Sequence, residues 1–405
     1  MEIFLLAPGT SLDVVAPRLW DGKGEGLVED RVLLIRNGKI KGILPLEVYE
    51  PGPCPLLKLE GTLMPGLVDA HVHLSLDGKD FKQSIERWYP PQDMWRVITQ
   101  ELWDTLKAGV VAIRDGSDGL NWNLEAKKWV AAGQAVGPVV VATGRALRRK
   151  GYYGTFLGPG LERREEWEDL LKDQAAGGCD QVKIVLSGLI TFRRYGEVGP
   201  VQFSLEELSW LVRRAHALGL KVMVHANGPQ ALEMALDAGV DSIEHGYFAT
   251  EELLSRMAEQ GVYWCPTVAA VINRLKVRKA EEYSPHQKDI IKRTCESQLG
   301  NMYKAHRIGV RMVLGTDAGA PGVYHGRSYG EEVNYFKEAG LDNLSILKAA
   351  TSLGAACLGL KDLGTIEEGK SACFVELEGD PLADLQALKK INRVFYFQPI
   401  PCGYG

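Results

Sequence analysis

The sequence predicts an α/β fold, a (β/α)8 TIM barrel with a small β-sandwich domain built from both chain ends. Three observations predict it. A middle stretch of about 290 residues alternates short apolar strands with helical spacing, in the number and order a barrel needs. Both chain ends read instead as short strands joined by tight turns. The polar residues suited to chemistry fall at the C-terminal ends of the middle strands, where such barrels place their active sites.

The N-terminal part, residues 1–62, alternates apolar runs with turn residues: Asp13-Val14-Val15, Arg31-Val32-Leu33-Leu34-Ile35-Arg36, Asn37-Gly38, then Lys39-Ile40-Lys41-Gly42-Ile43. Asn-Gly between two such runs signals a hairpin, because both residues tolerate the positive φ of a type I′ turn. The far end, residues 362–405, repeats the pattern with Gly364-Thr365-Ile366, Gly369-Lys370, Ala372-Cys373-Phe374-Val375-Glu376-Leu377 and Val394-Phe395-Tyr396-Phe397. These two half-sheets are expected to complete one β domain, leaving residues 63–361 for the barrel. Its eight strands are expected at Leu67 to His73, Val110 to Asp115, Pro138 to Gly144, Gln181 to Leu186, Lys221 to Ala226, Asp241 to Gly246, Val262 to Thr267 and Arg311 to Asp317. Between them, apolar residues recur at three- and four-residue spacing. One connecting helix opens at Ser204-Leu205-Glu206-Glu207 with a capping box, runs towards Leu218 and ends at Gly219.

Composition narrows the function. The 405 residues are 45% hydrophobic and 24% charged, as in a globular protein. Net charge is −5, from 47 basic and 52 acidic residues spread evenly, so no nucleic-acid partner is expected. No apolar run approaches the roughly 18 residues that span a bilayer, and no membrane partner is expected. The start, Met1-Glu2-Ile3, lacks the basic opening and long apolar core of a signal peptide. Seven cysteines (Cys54, Cys179, Cys265, Cys295, Cys357, Cys373, Cys402) are odd in number and contain no Cys-x-x-Cys pair, which disfavours a disulfide framework or thiolate zinc site. The expected location is cytoplasmic, and a homo-oligomer is the default assembly.

The chemistry lies at the strand ends. Strand one closes with His71-Val72-His73, whose period of two puts both imidazoles on one face. Strand five ends at His225, strand six at Glu244-His245, and strand eight at Gly315-Thr316-Asp317-Ala318-Gly319. Four of the eight histidines and one aspartate are thus placed to converge at the barrel mouth as metal ligands. Strand four adds Lys183 among apolar neighbours, where an unpaired ammonium is costly. Either it pairs with an acid, or it reacts with carbon dioxide to give a carbamate that bridges two divalent metals. Charge suits the carbamate: with four neutral imidazoles, an aspartate and a hydroxide it supplies about −3 against about +4 from two Zn²⁺.

This set, framed by a split β domain, resembles the amidohydrolase superfamily of metal-dependent hydrolases. Asp180-Gln181-Val182-Lys183-Ile184 with Ser187-Gly188, the pair Gln202-Phe203, Gly315-Thr316-Asp317-Ala318-Gly319 with His325-Gly326, Ala350-Thr351 and Gly364-Thr365-Ile366-Glu367-Glu368-Gly369-Lys370 are similar to its imidazolonepropionase-like, Xaa-Pro dipeptidase-like branch. The resemblance implies that His71 and His73 hold one metal with Asp317, that carboxylated Lys183 bridges, and that His225 and His245 hold the second. Two ions, expected to be zinc, would share a hydroxide that attacks the scissile carbonyl of a small-molecule substrate, with Asp317 taking its proton and passing it to the leaving amine.

Two positions depart from the branch. Gly151-Tyr152-Tyr153-Gly154 stands where a Gly-Gly-His segment is common, so that either Tyr153 replaces the histidine as a substrate donor or the substrate differs. Asn227 replaces an aromatic residue beyond the fifth-strand histidine. His325 is expected either at the pocket mouth, recognising a carboxylate or carbonyl, or in solvent. Arg193, Arg194 and Tyr195 form either an anionic clamp or ordinary surface. His216, His286 and His306 read as surface or packing residues, and Trp88, Trp95, Trp122 and Trp129 as helix packing. The expected activity is binuclear hydrolysis of the amide of a dipeptide or N-acyl amino acid. Alternatives are a cyclic-amide hydrolase of imidazolonepropionase type, a lactone or phosphotriester hydrolase, and a non-catalytic scaffold. Gly228 stands where deaminases of the superfamily carry a glutamate, which disfavours deamination.

Overall fold

The computed structural model describes residues 1–6, 8–89 and 93–397. The expectations for residues 398–405, Cys402 among them, lie outside the described residues. Near the N-terminus run β1 (Glu2–Leu6), β2 (Ser11–Leu19), β3 (Val28–Arg36), β4 (Lys39–Pro45), β5 (Leu56–Lys58) and β6 (Thr62–Pro65). The β3–β4 turn has φ of 52° at Asn37 and 68° at Gly38, the double positive φ expected of Asn-Gly. A Cβ at Gly38 would also lie 1.8 Å from the Phe397 ring, so packing and turn geometry both require glycine there.

The middle strands follow: β7 (Leu67–Val72), β8 (Val110–Asp115), β9 (Val139–Val141), the short pair β10 (Arg148–Arg149) and β11 (Gly160–Leu161), then β12 (Gln181–Val185), β13 (Lys221–Ala226), β14 (Ser242–His245), β15 (Tyr263–Cys265) and β16 (Arg311–Met312). All eight expected strands are present, although the third, seventh and eighth are no more than half their expected length. Pairing is parallel, in one sheet of order β7-β8-β9 and another of order β12-β13-β14-β15-β16. The third and eighth lie at the seams between these sheets, where isolated bonds replace a ladder. At one seam Leu147 N donates to Lys183 O at 2.8 Å and Val185 N to Leu147 O at 3.0 Å. At the other, Ala70 N donates to Leu314 O (2.8 Å), Asp317 N to His71 O (2.7 Å) and His73 N to Ala318 O (2.7 Å). The fold is α/β and TIM-barrel-like.

The helices behind the strands form for local reasons. In Leu205–Ala217, the Ser204 side chain accepts from Glu207 N while Glu207 accepts from Ser204 N, which is the expected capping box. The helix buries Leu208, Leu211, Val212 and Ala215, a stripe at three- and four-residue spacing. Each such leucine contributes about 1.5–3 kcal/mol of transfer free energy. Among the described residues no helix is long and apolar enough to cross a membrane.

The chain then returns through β17 (Phe374–Leu377) and β18 (Ile391–Phe397). Both ends interleave in one eight-stranded sheet of order β1-β18-β17-β6-β2-β3-β4, with β5 on β2. Ile40 N donates to Lys370 O and Ala372 N to Gly38 O, at 2.9 and 2.8 Å, drawing β4 back towards the start of β17. The sheet thereby wraps a cluster that includes Val14, Leu33, Ile35, Leu63, Phe374 and Phe395.

Candidate active site

The buried imidazoles are fixed from behind. His71 Nδ1 donates to Glu244 Oε2 at 2.8 Å, and His73 Nδ1 donates to Ser117 O at 3.0 Å. Because a carboxylate and a carbonyl only accept, each ring carries a proton on Nδ1 and turns its Nε2 away from these supports. Asp317 Oδ1 lies 3.6 Å from His71 Nε2 and 3.3 Å from His73 Nε2. His245 Nδ1 meets Thr267 Oγ1 at 2.7 Å, and its ring centroid lies 5.1 Å from that of His71 and 4.6 Å from that of His225. His225 Nε2 has only long contacts, 3.4 Å to Gly188 O and 3.3 Å to Asn227 Nδ2. Lys183 is 1% exposed and lines the same cavity. Among the described residues no carboxylate lies within ion-pair distance of it, so the acid-paired lysine left open by the sequence is not what the structure contains.

Electrostatics suit ligation at three of the four imidazoles, whereas at His73 burial is outweighed by the adjoining Asp317 carboxylate and the ring is raised above its ordinary value. Burial, with the neighbouring cationic groups, pushes His71, His225 and His245 well below the ordinary imidazole range, which keeps them in the neutral, ligating form. Burial lowers the Lys183 ammonium to about 8 despite Glu244 and Asp317 nearby. Burial alone would raise Asp317, but His71, His73 and Lys183 hold it below its usual value.

This donor set fits a divalent cation. His71 Nε2 is buried without a hydrogen-bond partner, and the ligand atoms of His71, His73 and Asp317 lie within 4.8 Å of one another. The space beside them is kept open by Gly116, where a Cβ would lie 2.8 Å from both His71 Nε2 and His73 Cε1. Strained backbone surrounds it: Ser117, His245, Thr267 and Asp317 have φ of 86°, 70°, 46° and 59°, at the ends of strands or in the segments that follow them.

Some of the residues that shape the site carry little signal in the sequence. Glu244 accepts from Arg114 Nη2 and Ser242 Oγ, each at 2.7 Å, and Arg114 Nε donates to Ala70 O at 2.8 Å. Asp69 accepts from Thr316 N at 2.9 Å and from Thr316 Oγ1 at 2.7 Å, locking strand one to strand eight. The one available clue was a charged residue inside an apolar strand.

A cavity of about 580 Å³ opens above the histidines, walled mainly by apolar and aromatic groups from the strand-end loops. Tyr153 and Asn227 both line it, with the Tyr153 ring 5.4 Å from that of His225. His325 does not reach the mouth. It is 3% exposed, outside the cavity lining, and its Nε2 donates to Leu76 O at 3.0 Å. Arg193 and Arg194 are exposed and also outside the lining, while Tyr195 sits under Arg293 at 4.4 Å, so the surface reading of this segment holds. His216 and His306 meet Asp241 and Asp342 near the surface. The six described cysteines are free.

Comparison with known proteins now decides the family. The amidohydrolase family model matches residues 62–396. The chain belongs to the amidohydrolase family. As a member it is a hydrolase of carbon–nitrogen bonds. Among curated relatives it is 27% identical over 362 residues to ochratoxinase of Aspergillus niger, spanning 82% of this chain and 73% of the relative. It is 29% identical over 302 residues to an uncharacterised protein of Mycobacterium tuberculosis, spanning 73% of each. Among solved structures, this amidohydrolase is similar to a Xaa-Pro dipeptidase with bound methionine in its active site, with 25% identity, TM-score 0.81, and coverage of 95% of this chain and 98% of that one. The structure of the A. niger ochratoxinase shares the fold, at 23% identity, TM-score 0.83 and coverage of 98% and 97%.

Proposed function

We propose that this amidohydrolase is a binuclear metal-dependent enzyme that cleaves the amide of a dipeptide or N-acyl amino acid. The observation that carries this reading is the convergence of the Nε2 atoms of His71 and His73 on Asp317, beside neutral His225 and His245 and a buried, unpaired Lys183. His71, His73 and Asp317 would hold one ion, His225 and His245 the other, with Lys183 as its carbamate between them. Divalent ions held there would supply a water of lowered pKa and a Lewis acid for the scissile carbonyl. The protein supplies the rest. Asp317, held as a carboxylate by its cationic neighbours, takes the proton of the attacking water and delivers it to the departing amine. Tyr153 and Asn227 offer hydrogen bonds from the cavity wall to the substrate. The names of the ochratoxinase and dipeptidase relatives fit the same bond type.

A cyclic-amide hydrolase of imidazolonepropionase type, working with one ion, is the second reading. It is favoured by the closeness of the His71, His73 and Asp317 ligand atoms, a grouping that excludes His225 and His245. We further read the two parallel sheets as one (β/α)8 barrel and the wrapped mixed sheet as a β-sandwich; because β6 (Thr62–Pro65) pairs within the mixed sheet, the boundary between them falls after Pro65 and not after residue 62. Free cysteines support a cytoplasmic location.

The test is a mass-spectrometric screen of Zn²⁺-reconstituted protein against dipeptides and N-acyl amino acids, with Asp317→Asn as control. Cleavage that falls about 10²–10⁴-fold in the control is expected. Cleavage undiminished in Asp317→Asn, or none by a fully metallated wild type, would contradict the proposal.

A further inference from the structure

Apart from Lys183 and Asp317, Arg274 is the one charged residue lining the active-site cavity among the described residues. It sits in the 3-10 turn Asn273–Leu275, directly after the short helix Ala269–Ile272 that follows β15. The turn is well anchored. Asn273 Nδ2 donates to Gly322 O at 3.0 Å and to Glu331 Oε2 at 2.6 Å, and Lys276 Nζ donates to the same carboxylate at 3.4 Å. The nearby acid is therefore taken by the residues on either side of Arg274. Its own guanidinium is half-buried over the Phe192 ring, 5.7 Å from the centroid, and meets no carboxylate among the described residues.

A guanidinium held over an aromatic face in an apolar cavity lacks the counter-charge that its partial desolvation calls for. Its planar fork of donors matches a carboxylate bidentately. Beyond the charged groups, the histidines, Asn227, Thr155 and the hydroxyls of Tyr153 and Tyr247, the wall is apolar: Phe156 lies 6.5 Å from the His73 ring and 4.8 Å edge-on from Phe81. Among the described residues no aspartate or glutamate lines the cavity other than Asp317, which the ligand set engages, so no further carboxylate there offers a counter-charge to the free ammonium of a dipeptide.

We propose that Arg274 receives the substrate carboxylate, and that the substrates are amides with an amino acid as the amine half and an uncharged, apolar acyl half. This rests on the amide-hydrolase reading and narrows it from dipeptides to N-acyl amino acids. The bland alternative is an arginine that only packs on Phe192; it predicts no preference for an anionic ligand.

The experiment measures equilibrium binding of N-benzoyl-L-leucine, its uncharged carboxamide and the free dipeptide phenylalanyl-leucine to the metal-loaded full chain. Wild type, Arg274→Lys and Arg274→Gln are compared, with thermal unfolding confirming that each is folded. Hydrolysis is followed in the same samples by mass spectrometry. The acid should bind at least about tenfold more tightly than its carboxamide, the scale of a charge-assisted pair. Arg274→Gln should erase that preference and Arg274→Lys keep part of it, and the free dipeptide should bind more weakly than the N-benzoyl acid. Equal binding of acid and carboxamide by wild type, a preference that survives Arg274→Gln, or no binding of either overturns the carboxylate site. Tighter binding of the free dipeptide overturns the uncharged acyl half. Arg274-dependent binding without cleavage upholds the carboxylate site and refutes amide hydrolysis, so the two failures are distinct.

Discussion

One carbon added at Gly116 would stand 2.8 Å from His71 Nε2, in the space where the imidazole lone pairs converge. Gly116 is not at positive φ, so alanine suits its backbone, and the effect of the added methyl should fall on the ligands. Gly116→Ala is expected to lose metal, measured by elemental analysis, while circular dichroism and Tm stay near those of wild type. Full metal content in this variant would show that the space is not the cation site. Lys183 tests the bridge. Lys183→Ala should lose both metal and rate, and short carboxylic acids added to the buffer should restore part of each by standing in for the carbamate. Two ions retained in Lys183→Ala would remove the carbamate from the account.

At the scale of elements, the loop after β15 reaches the site through Thr267 on His245 and depends on a helix behind it. In that helix, Tyr329–Glu338, the buried Glu332 carboxyl accepts from Val268 N and Ala269 N, each at 2.8 Å. Burial outweighs these bonds and raises the carboxyl from 4.5 to about 8. The folded state therefore keeps a proton that the unfolded state has released between those values. The stabilising contribution is complete below pH 4.5 and is lost as pH rises to about 8, at no more than about 1.4 kcal/mol per pH unit. Denaturant unfolding should show a smaller decline over this window in Glu332→Gln than in wild type. Identical slopes would place the Glu332 carboxyl near its ordinary value. Elements of this kind differ in how legible they are in sequence. The eight strands, the Asn37-Gly38 hairpin and the Ser204 capping box rest on short-range periodicity and turn chemistry, which sequence displays directly. His71, His73, His225, His245 and Asp317 were legible because ligand-type residues at strand ends are rare enough to stand out. The pairing of Arg114 with Glu244, the bond of Asp69 to Thr316 and the exposure of Arg274 to the cavity depend on which distant segments become neighbours. No local pattern encodes that. His325 was misplaced for the same reason, since its burial against Leu76 O depends on how the loop after strand eight folds back.

For the whole molecule, the ligand set does more than chemistry. His71 and His73 come from the end of the three-stranded sheet, whereas Lys183, His225 and His245 come from the five-stranded one, and Asp317 closes the seam between them. Bound ions would thus cross-link the two sheets where regular pairing is interrupted, and a ligand that binds only the folded state stabilises it by mass action, about 2.7 kcal/mol at a hundredfold excess over Kd. Chelation should lower Tm, and Zn²⁺ with bicarbonate should restore it. An unchanged Tm would mean that no ion links the sheets. The central claim, that these six residues hold two ions for amide hydrolysis, is met most directly by counting metal per chain in protein reconstituted with Zn²⁺ and bicarbonate. Two ions are expected in the wild type and fewer in Gly116→Ala and Lys183→Ala; a wild-type count that stays at one, or at none, would rule out the two-ion site.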